Sequence, residues 1–149
     1  MKLQNKVAIV TGGGKGIGRE ICLGLSKEGA KIVIAEIDIE NSNKVIKEIK
    51  DTGGDAVAIK TDISNEDSVK NLVLEAIKKF SKIDILINNA GSRHVKKLND
   101  HNLNDWNDML SVNLTGPYIC CKAVIPEMRK IGKGKIINFG SIASFMGRP

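Results

Sequence analysis

The sequence predicts an open, doubly wound parallel α/β sheet, and three observations carry that prediction. Five short apolar runs recur along the 149 residues, longer segments of helical period separate them, and a glycine-rich loop directly follows the first run. The runs are Val7-Ala8-Ile9-Val10, Ile32-Val33-Ile34-Ala35, Ala56-Val57-Ala58-Ile59, Ile83 to Ile87 and Lys135 to Phe139. Little polar alternation interrupts them, which fits strands covered by helices on both faces rather than strands with one wet face.

The intervening segments justify the helices. Val69, Leu72, Val73, Ala76, Ile77 and Phe80 form one apolar stripe at a spacing of about 3.6 residues. Ser64-Asn65-Glu66-Asp67 precedes it, with a hydroxyl as the expected N-cap and an acid three residues on, close to a capping box. Gly29 and Gly53-Gly54 stand where helix C-caps belong. Strand–helix–strand units of this kind close right-handed into an open sheet. No linker, repeat or low-complexity tract divides the chain, so residues 1–149 read as a single domain.

Composition narrows the function classes. The net charge of +6 comes from 23 basic and 17 acidic residues, with the lysines scattered as singles and pairs among acids. Aromatics make up only 3%, leaving no stacking platform for bases, so the charge reads as solvated helix faces and no nucleic-acid partner is expected. Cys22, Cys120 and Cys121 are an odd number at no metal-ligand spacing and read as small buried hydrophobes in a reducing compartment. His94 and His101 read as polar loop residues, and no metal is expected. No apolar run is long enough for a signal peptide or a membrane span, so neither a membrane partner nor a location outside the cytoplasm is expected.

The loop after the first strand is Thr11-Gly12-Gly13-Gly14-Lys15-Gly16-Ile17-Gly18, opening a helix. Strand, glycine loop and helix N-terminus together suit a pyrophosphate: small residues admit close backbone approach, and free N–H groups with the helix dipole favour negative charge. The literal G-x-G-x-x-G is absent; Thr11, Gly12, Gly16 and Gly18 instead form T-G-x-x-x-G-x-G. Asp62 follows the third run, Asn88-Asn89-Ala90-Gly91 the fourth, Val112-Asn113-Leu114 comes later, and Asn138-Phe139-Gly140-Ser141 ends the fifth. In this order the motifs resemble the short-chain dehydrogenase/reductase family across nearly the whole chain.

That resemblance implies a Rossmann-like fold, a nicotinamide cofactor and hydride transfer to or from an alcohol or carbonyl carbon of a small molecule. It implies cofactor contacts from Thr11, Gly12, Lys15, Gly16, Ile17 and Gly18, an adenine site at Asp62 and Ile63, and a ribose contact at Asn89, Ala90 and Gly91. Glu36, at the end of the second run, is placed to accept both ribose hydroxyls of NAD and to repel the 2′-phosphate of NADP. Lys15 argues the other way, and NAD is the favoured cofactor with NADP as the alternative. By resemblance Ser141, rather than Ser144, orients the substrate oxygen, and Asn113 anchors a proton relay from the long helix between strands four and five. Pro117 adds a physical argument: lacking an N–H, it denies the Asn113 carbonyl its helical partner and should bend that helix.

The family's Tyr-x-x-x-Lys pair has no counterpart in these residues, and Tyr118, the sole tyrosine, lies too far upstream. The C-terminal strands and the substrate-covering loop are missing likewise, which leaves the fifth strand as an apolar edge. Two expectations therefore compete: an active NAD-linked dehydrogenase or reductase as the parent, homo-oligomeric by resemblance, or a non-catalytic nucleotide-binding remnant or regulator. Asn138-Phe139-Gly140-Ser141 is compatible with 3-oxoacyl thioester reductases, whereas Glu36 leans toward sugar and polyol dehydrogenases. Arg93, Lys96 and Lys97 are candidates to meet an acidic substrate.

Overall fold

Alternate residues along each central strand are buried on opposite faces of one sheet, which is why the five runs carry so little polar alternation. In the computed structural model, which describes residues 1–142, 145 and 146, the strands are β1 (Val7–Thr11), β2 (Lys31–Glu36), β3 (Ala56–Lys60), β4 (Ile85–Asn88) and β5 (Lys135–Asn138). All pairings are parallel, in the order β3-β2-β1-β4-β5. Val7, Ile9, Val33, Ala35 and Leu86 point to one layer, while Ala8, Val10, Ile32, Ile34 and Ile87 point to the other. Each fully buried Ile or Val contributes roughly 1.5–3 kcal/mol relative to exposure, so both faces stabilise the sheet.

The first layer is covered by α3 (Glu66–Phe80) and α5 (Gly116–Lys130), the second by α1 (Gly16–Lys27) and α2 (Ile39–Asp51). The stripe read from α3 is its buried face: Val69, Leu72, Val73, Ala76 and Phe80 are buried and Ile77 packs beside them. Gly29 (φ +90°) and Gly53 (φ +80°) adopt the left-handed conformation just past α1 and α2, as C-cap positions require. Between β4 and α5 run a short 3-10 turn (Leu98–Asp100), α4 (Leu103–Leu110) and a π turn (Ser111–Thr115). No helix among the described residues is long and apolar enough to cross a membrane.

Three local readings need correction. The N-cap of α3 is Asn65, whose side chain accepts from the Ser68 N–H, whereas the Ser64 hydroxyl turns back to Asp62 Oδ1. A full capping box occurs instead at α4, between Asn102 and Asp105. β4 starts two residues later than its apolar run, at Ile85; just before it, Asp84 donates its N–H to the Val7 carbonyl at 2.9 Å and its Oδ2 accepts the Val7 N–H at 3.0 Å. β5 likewise ends at Asn138, one residue short of the run. At this outer strand Ile137 and Phe139 are each 48% exposed.

Asp84 is 4% exposed yet stays anionic, because Lys6 Nζ and Lys82 Nζ lie 3.1 and 2.9 Å from its oxygens. Burial pushes its pKa up, but hydrogen bonds from Lys82, the Val7 N–H and Lys6 outweigh that and hold it below the ordinary carboxylate range. A depressed folded-state pKa contributes stability that is full above the unfolded value of about 3.9 and is lost as pH falls through the folded value. Asp84→Asn should therefore cost about 1–3 kcal/mol at neutral pH and flatten the acid limb of stability. Urea midpoints at pH 7 and pH 3 check this; equal acid sensitivity of the two proteins would refute it. Burial also raises the Cys22 and Cys120 thiols to about 12, so iodoacetamide at mildly alkaline pH should label Cys121, the half-buried thiol, first by peptide mass.

Candidate nucleotide site

The carboxyl ends of β1 and β4 separate where the connections leave for opposite faces of the sheet, and a cleft opens there. Its volume is about 560 Å³. The loop from β1 and the loop from β4 are tied together at its floor. The buried Thr11 hydroxyl donates to the Ile87 carbonyl at 3.4 Å and accepts the N–H groups of Asn89 and Ala90, both at 3.0 Å. In return Asn89 Nδ2 donates to the carbonyls of Thr11 and Gly12 at 3.0 and 3.1 Å.

Backbone packing this close demands glycine at two positions. A Cβ on Gly18 would lie 2.1 Å from the Gly12 oxygen and 2.6 Å from Asn89 Nδ2. Gly12 has φ +65°, and a Cβ there would lie 2.9 Å from the Ala90 Cα. The N-terminus of α1 is thereby pressed against the floor of the cleft, with its first-turn N–H groups, which lack helical partners, at the mouth. Lys15 is the N-cap residue; its side chain makes no capping bond and is exposed on the rim.

Glu36 closes the β2 side. Its Oε2 accepts the Gly14 N–H at 3.3 Å and its Oε1 accepts the Ile37 N–H at 3.0 Å. Two bonds leave lone-pair capacity on a carboxylate that can take about four. Asp62 stands at the end of β3, where Oδ1 accepts from the Ser64 N–H and hydroxyl at 2.9 and 2.6 Å, an Asx-type turn. Ile63 is buried beside it, and Ile17 and Ile37, 64% and 61% exposed, flank the mouth. Among the described residues the lining holds three carboxylates, Glu36, Asp62 and Asp108, and one ammonium, that of Lys15. An anion here is met mainly by N–H dipoles rather than by cations.

Gly12, Lys15, Ile17, Gly18, Glu36, Asp62, Ile63, Asn89, Ala90 and Gly91 of the predicted residues thus line one cleft. Thr11 lies beneath it as a brace, and Gly16 opens α1 in a left-handed conformation at φ +54°. Both N–H donors of Asn89 are occupied by loop carbonyls, so its amide braces the floor instead of reaching outward. Asn113 and Ser141 are not among the lining residues. Asn113 sits in the π turn, where Gly116 donates to the carbonyl of Ser111 across five residues, the departure from α geometry expected next to Pro117. Its side chain grips the loop after β4: Oδ1 accepts the Ser92 N–H and Nδ2 donates to the Ser92 carbonyl, both at 2.8 Å. Ser141 is exposed beyond the end of β5, and Ser144 lies outside the described residues.

Sequence reasoning missed Ala35, Ile37, Thr61, Ser92, Asp108 and Val112 as lining residues. Ile37, Thr61 and Ser92 adjoin recognised motifs and could have been extended from them. Asp108 and Val112 reach the cleft only through the packing of α4 and the π turn. His94 is no free loop residue, since its Nε2 meets Asp108 Oδ2 at 2.9 Å. Lys96 is taken up as well: it pairs with Asp105 at 2.7 Å, and together with the Asn102 N–H it holds that carboxyl below the usual range.

The sequence matches the short chain dehydrogenase family over residues 6–149. The chain belongs to that family. It is 42% identical over 147 residues to an uncharacterised oxidoreductase of Thermotoga maritima, covering 99% of this chain and 57% of the relative. It is 39% identical over 148 residues to a 3-oxoacyl-[acyl-carrier-protein] reductase of a Synechocystis species, covering 99% and 60%. The structure superposes on an NAD+-bound xylitol dehydrogenase with a TM-score of 0.95 at 32% identity, covering 100% of this chain and 58% of the other. A metagenomic short-chain oxidoreductase in complex with NADP gives a TM-score of 0.91 at 32% identity, covering 100% and 67%. The chain thus spans 57% and 60% of the length of the Thermotoga and Synechocystis relatives.

The glycine argument has a paired test. Gly18→Ala should lower stability by about 1–3 kcal/mol through overpacking and abolish nucleotide binding. Gly24→Ala, in the middle of α1 with nothing within 4 Å of the added Cβ, should raise stability by about 0.5–1 kcal/mol. Thermal unfolding of both variants decides it; equal effects would sink the close-packing account.

Proposed function

We propose that the cleft binds NAD and that the protein serves hydride transfer between this cofactor and an alcohol or carbonyl compound. The carrying observation is Glu36, a carboxylate fixed at the end of β2 by the Gly14 and Ile37 N–H groups, with acceptor capacity left for two ribose hydroxyls. The residues fit the group: Gly12 and Gly18 leave room for close approach, the first turn of α1 receives the pyrophosphate, and Asp62 with Ile63 and Ile37 flanks the adenine. Ala90 and Gly91 face the other half of the dinucleotide.

A bound nicotinamide supplies or accepts the hydride. Asn113 holds the loop after β4 in place, and Ser141 supports orientation of the substrate oxygen at the carboxyl end of β5. The family match and the oxidoreductase names of both relatives support this reading. Superposition on one NAD+-bound and one NADP-bound structure is compatible with either cofactor, and the choice of NAD rests on Glu36. Sugar, polyol and 3-oxoacyl compounds are the substrate classes to assay, and a homo-oligomeric, cytoplasmic protein is the accompanying expectation.

Binding without turnover is the second reading: Tyr118, on α5, is 63% exposed and is not among the described residues that line the cleft.

Calorimetric titration with NAD+ and NADP+ tests the cofactor assignment. NAD+ should bind at least about tenfold more tightly, and Glu36→Ala should weaken NAD+ about tenfold while changing NADP+ little. Tighter binding of NADP+ by the unaltered protein would reverse the assignment. Turnover of an alcohol with NAD+ by the 149-residue chain would exclude the second reading.

A further inference from the structure

Asp108 lies on α4, three residues before the π turn that carries Asn113, and neither the resemblance nor the cofactor assignment gives it a task. Its Oδ2 receives two bonds from the loop after β4: the Ser92 hydroxyl at 3.2 Å and His94 Nε2 at 2.9 Å. Asn113 grips the same Ser92 by its backbone N–H and carbonyl. Ser92 is therefore held by its side chain and by its main chain, from two successive turns of one helical segment. A further bond joins those turns, because the Ser111 hydroxyl donates to the Asp108 carbonyl at 2.8 Å. The adjoining part of the loop is tied to α4 through Lys96 and Asp105.

We propose that Asp108 is a positioning residue: it locks the loop that begins at Gly91 and Ser92 to the Asn113 turn, and so builds in advance the wall that receives the nicotinamide half of the cofactor. This rests on the nucleotide reading of the cleft. Gly91, Ser92 and Asp108 line the same cleft as Glu36 and Asp62, and Gly91 and Ser92 follow β4, which lies across β1 from β2 and β3. With the pyrophosphate at α1 and the adenosine toward β2 and β3, that side is left for the nicotinamide. A loop ordered before binding loses less conformational freedom when the ligand arrives. Without the Asp108 carboxylate, Ser92 would keep only its main-chain grip and His94 would lose its close partner. Adenosine binding, on the opposite side, involves none of these groups.

Parallel titrations of NADH and AMP against the unaltered chain, Asp108→Ala, Asp108→Asn and Ser92→Ala test this. Asp108→Ala and Ser92→Ala should each weaken NADH by about fivefold, the scale of one hydrogen bond, while AMP stays within about twofold. Asp108→Asn keeps an oxygen acceptor and should restore most of the NADH affinity. Because Trp106 is the only tryptophan and stands two residues from Asp108 on α4, energy transfer from it to bound NADH should fall in Asp108→Ala. Unchanged NADH binding in both alanine variants would overturn the positioning role and leave the nucleotide reading intact. Equal loss of AMP and NADH would also overturn it, since the effect would then be on the whole fold. Failure of the unaltered chain to bind either ligand would instead refute the nucleotide site itself, and this inference with it.

Discussion

The cleft depends on how closely two stretches of backbone can approach where β1 and β4 end. Thr11 and Asn89 exchange hydrogen bonds across that junction, and each satisfies groups that would otherwise be left unpaired in the floor of the cleft. The arrangement works only because α1 begins immediately above it with Gly18 against the Gly12 carbonyl. Any side chain at Gly18 would lift the helix, and with it the first-turn N–H groups at the mouth of the cleft. The glycines are thus a packing requirement first, and the position of those N–H groups follows from that packing.

The sheet order supplies the opening itself. β1 lies between β2 and β4, and the connections from β1 and β4 cover opposite faces, so the two helical layers diverge above the junction. Burial of both faces leaves the strand ends as the place where polar groups can gather without disrupting the core. Glu36, Asp62 and the Asn88–Gly91 stretch each stand at or just beyond a strand terminus. The first turn of α1 and Lys15 stand in the same lining as the carboxylates Glu36, Asp62 and Asp108, so N–H dipoles and an ammonium offset part of that negative charge.

On the β4 side the wall comes from a different device. Pro117 cannot donate to the Asn113 carbonyl, and the helix passes through a π turn between α4 and α5. The wider turn carries Asn113, whose amide pairs with both backbone groups of Ser92. A side-chain amide matched to a single peptide unit fixes a loop more tightly than one hydrogen bond would, because rotation about either bond breaks the other.

Much of this was legible in the residues. Periodicity placed all five strands and the buried stripe of α3, because burial on both faces removes polar alternation and the helix period brings Val69, Leu72, Val73, Ala76 and Phe80 to one side. The spacing Thr11, Gly12, Gly16 and Gly18 marked the loop at which the cleft opens, and Gly12, Gly18 and Glu36 line it, because local backbone geometry dictates which residues a strand–loop–helix turn tolerates. Element boundaries were less legible: β4 began at Ile85 rather than Ile83, and Asn65 rather than Ser64 capped α3, the Ser64 hydroxyl being engaged by Asp62. What only the tertiary structure decided was the partnership of residues distant in sequence. Asn89 turned inward to brace the floor, Lys96 paired with Asp105, and Asp108 met Ser92 and His94. The physical reason is that a hydrogen bond is set by position in space to within a fraction of an ångström, and no pattern along the chain encodes how α4 packs beside the loop after β4.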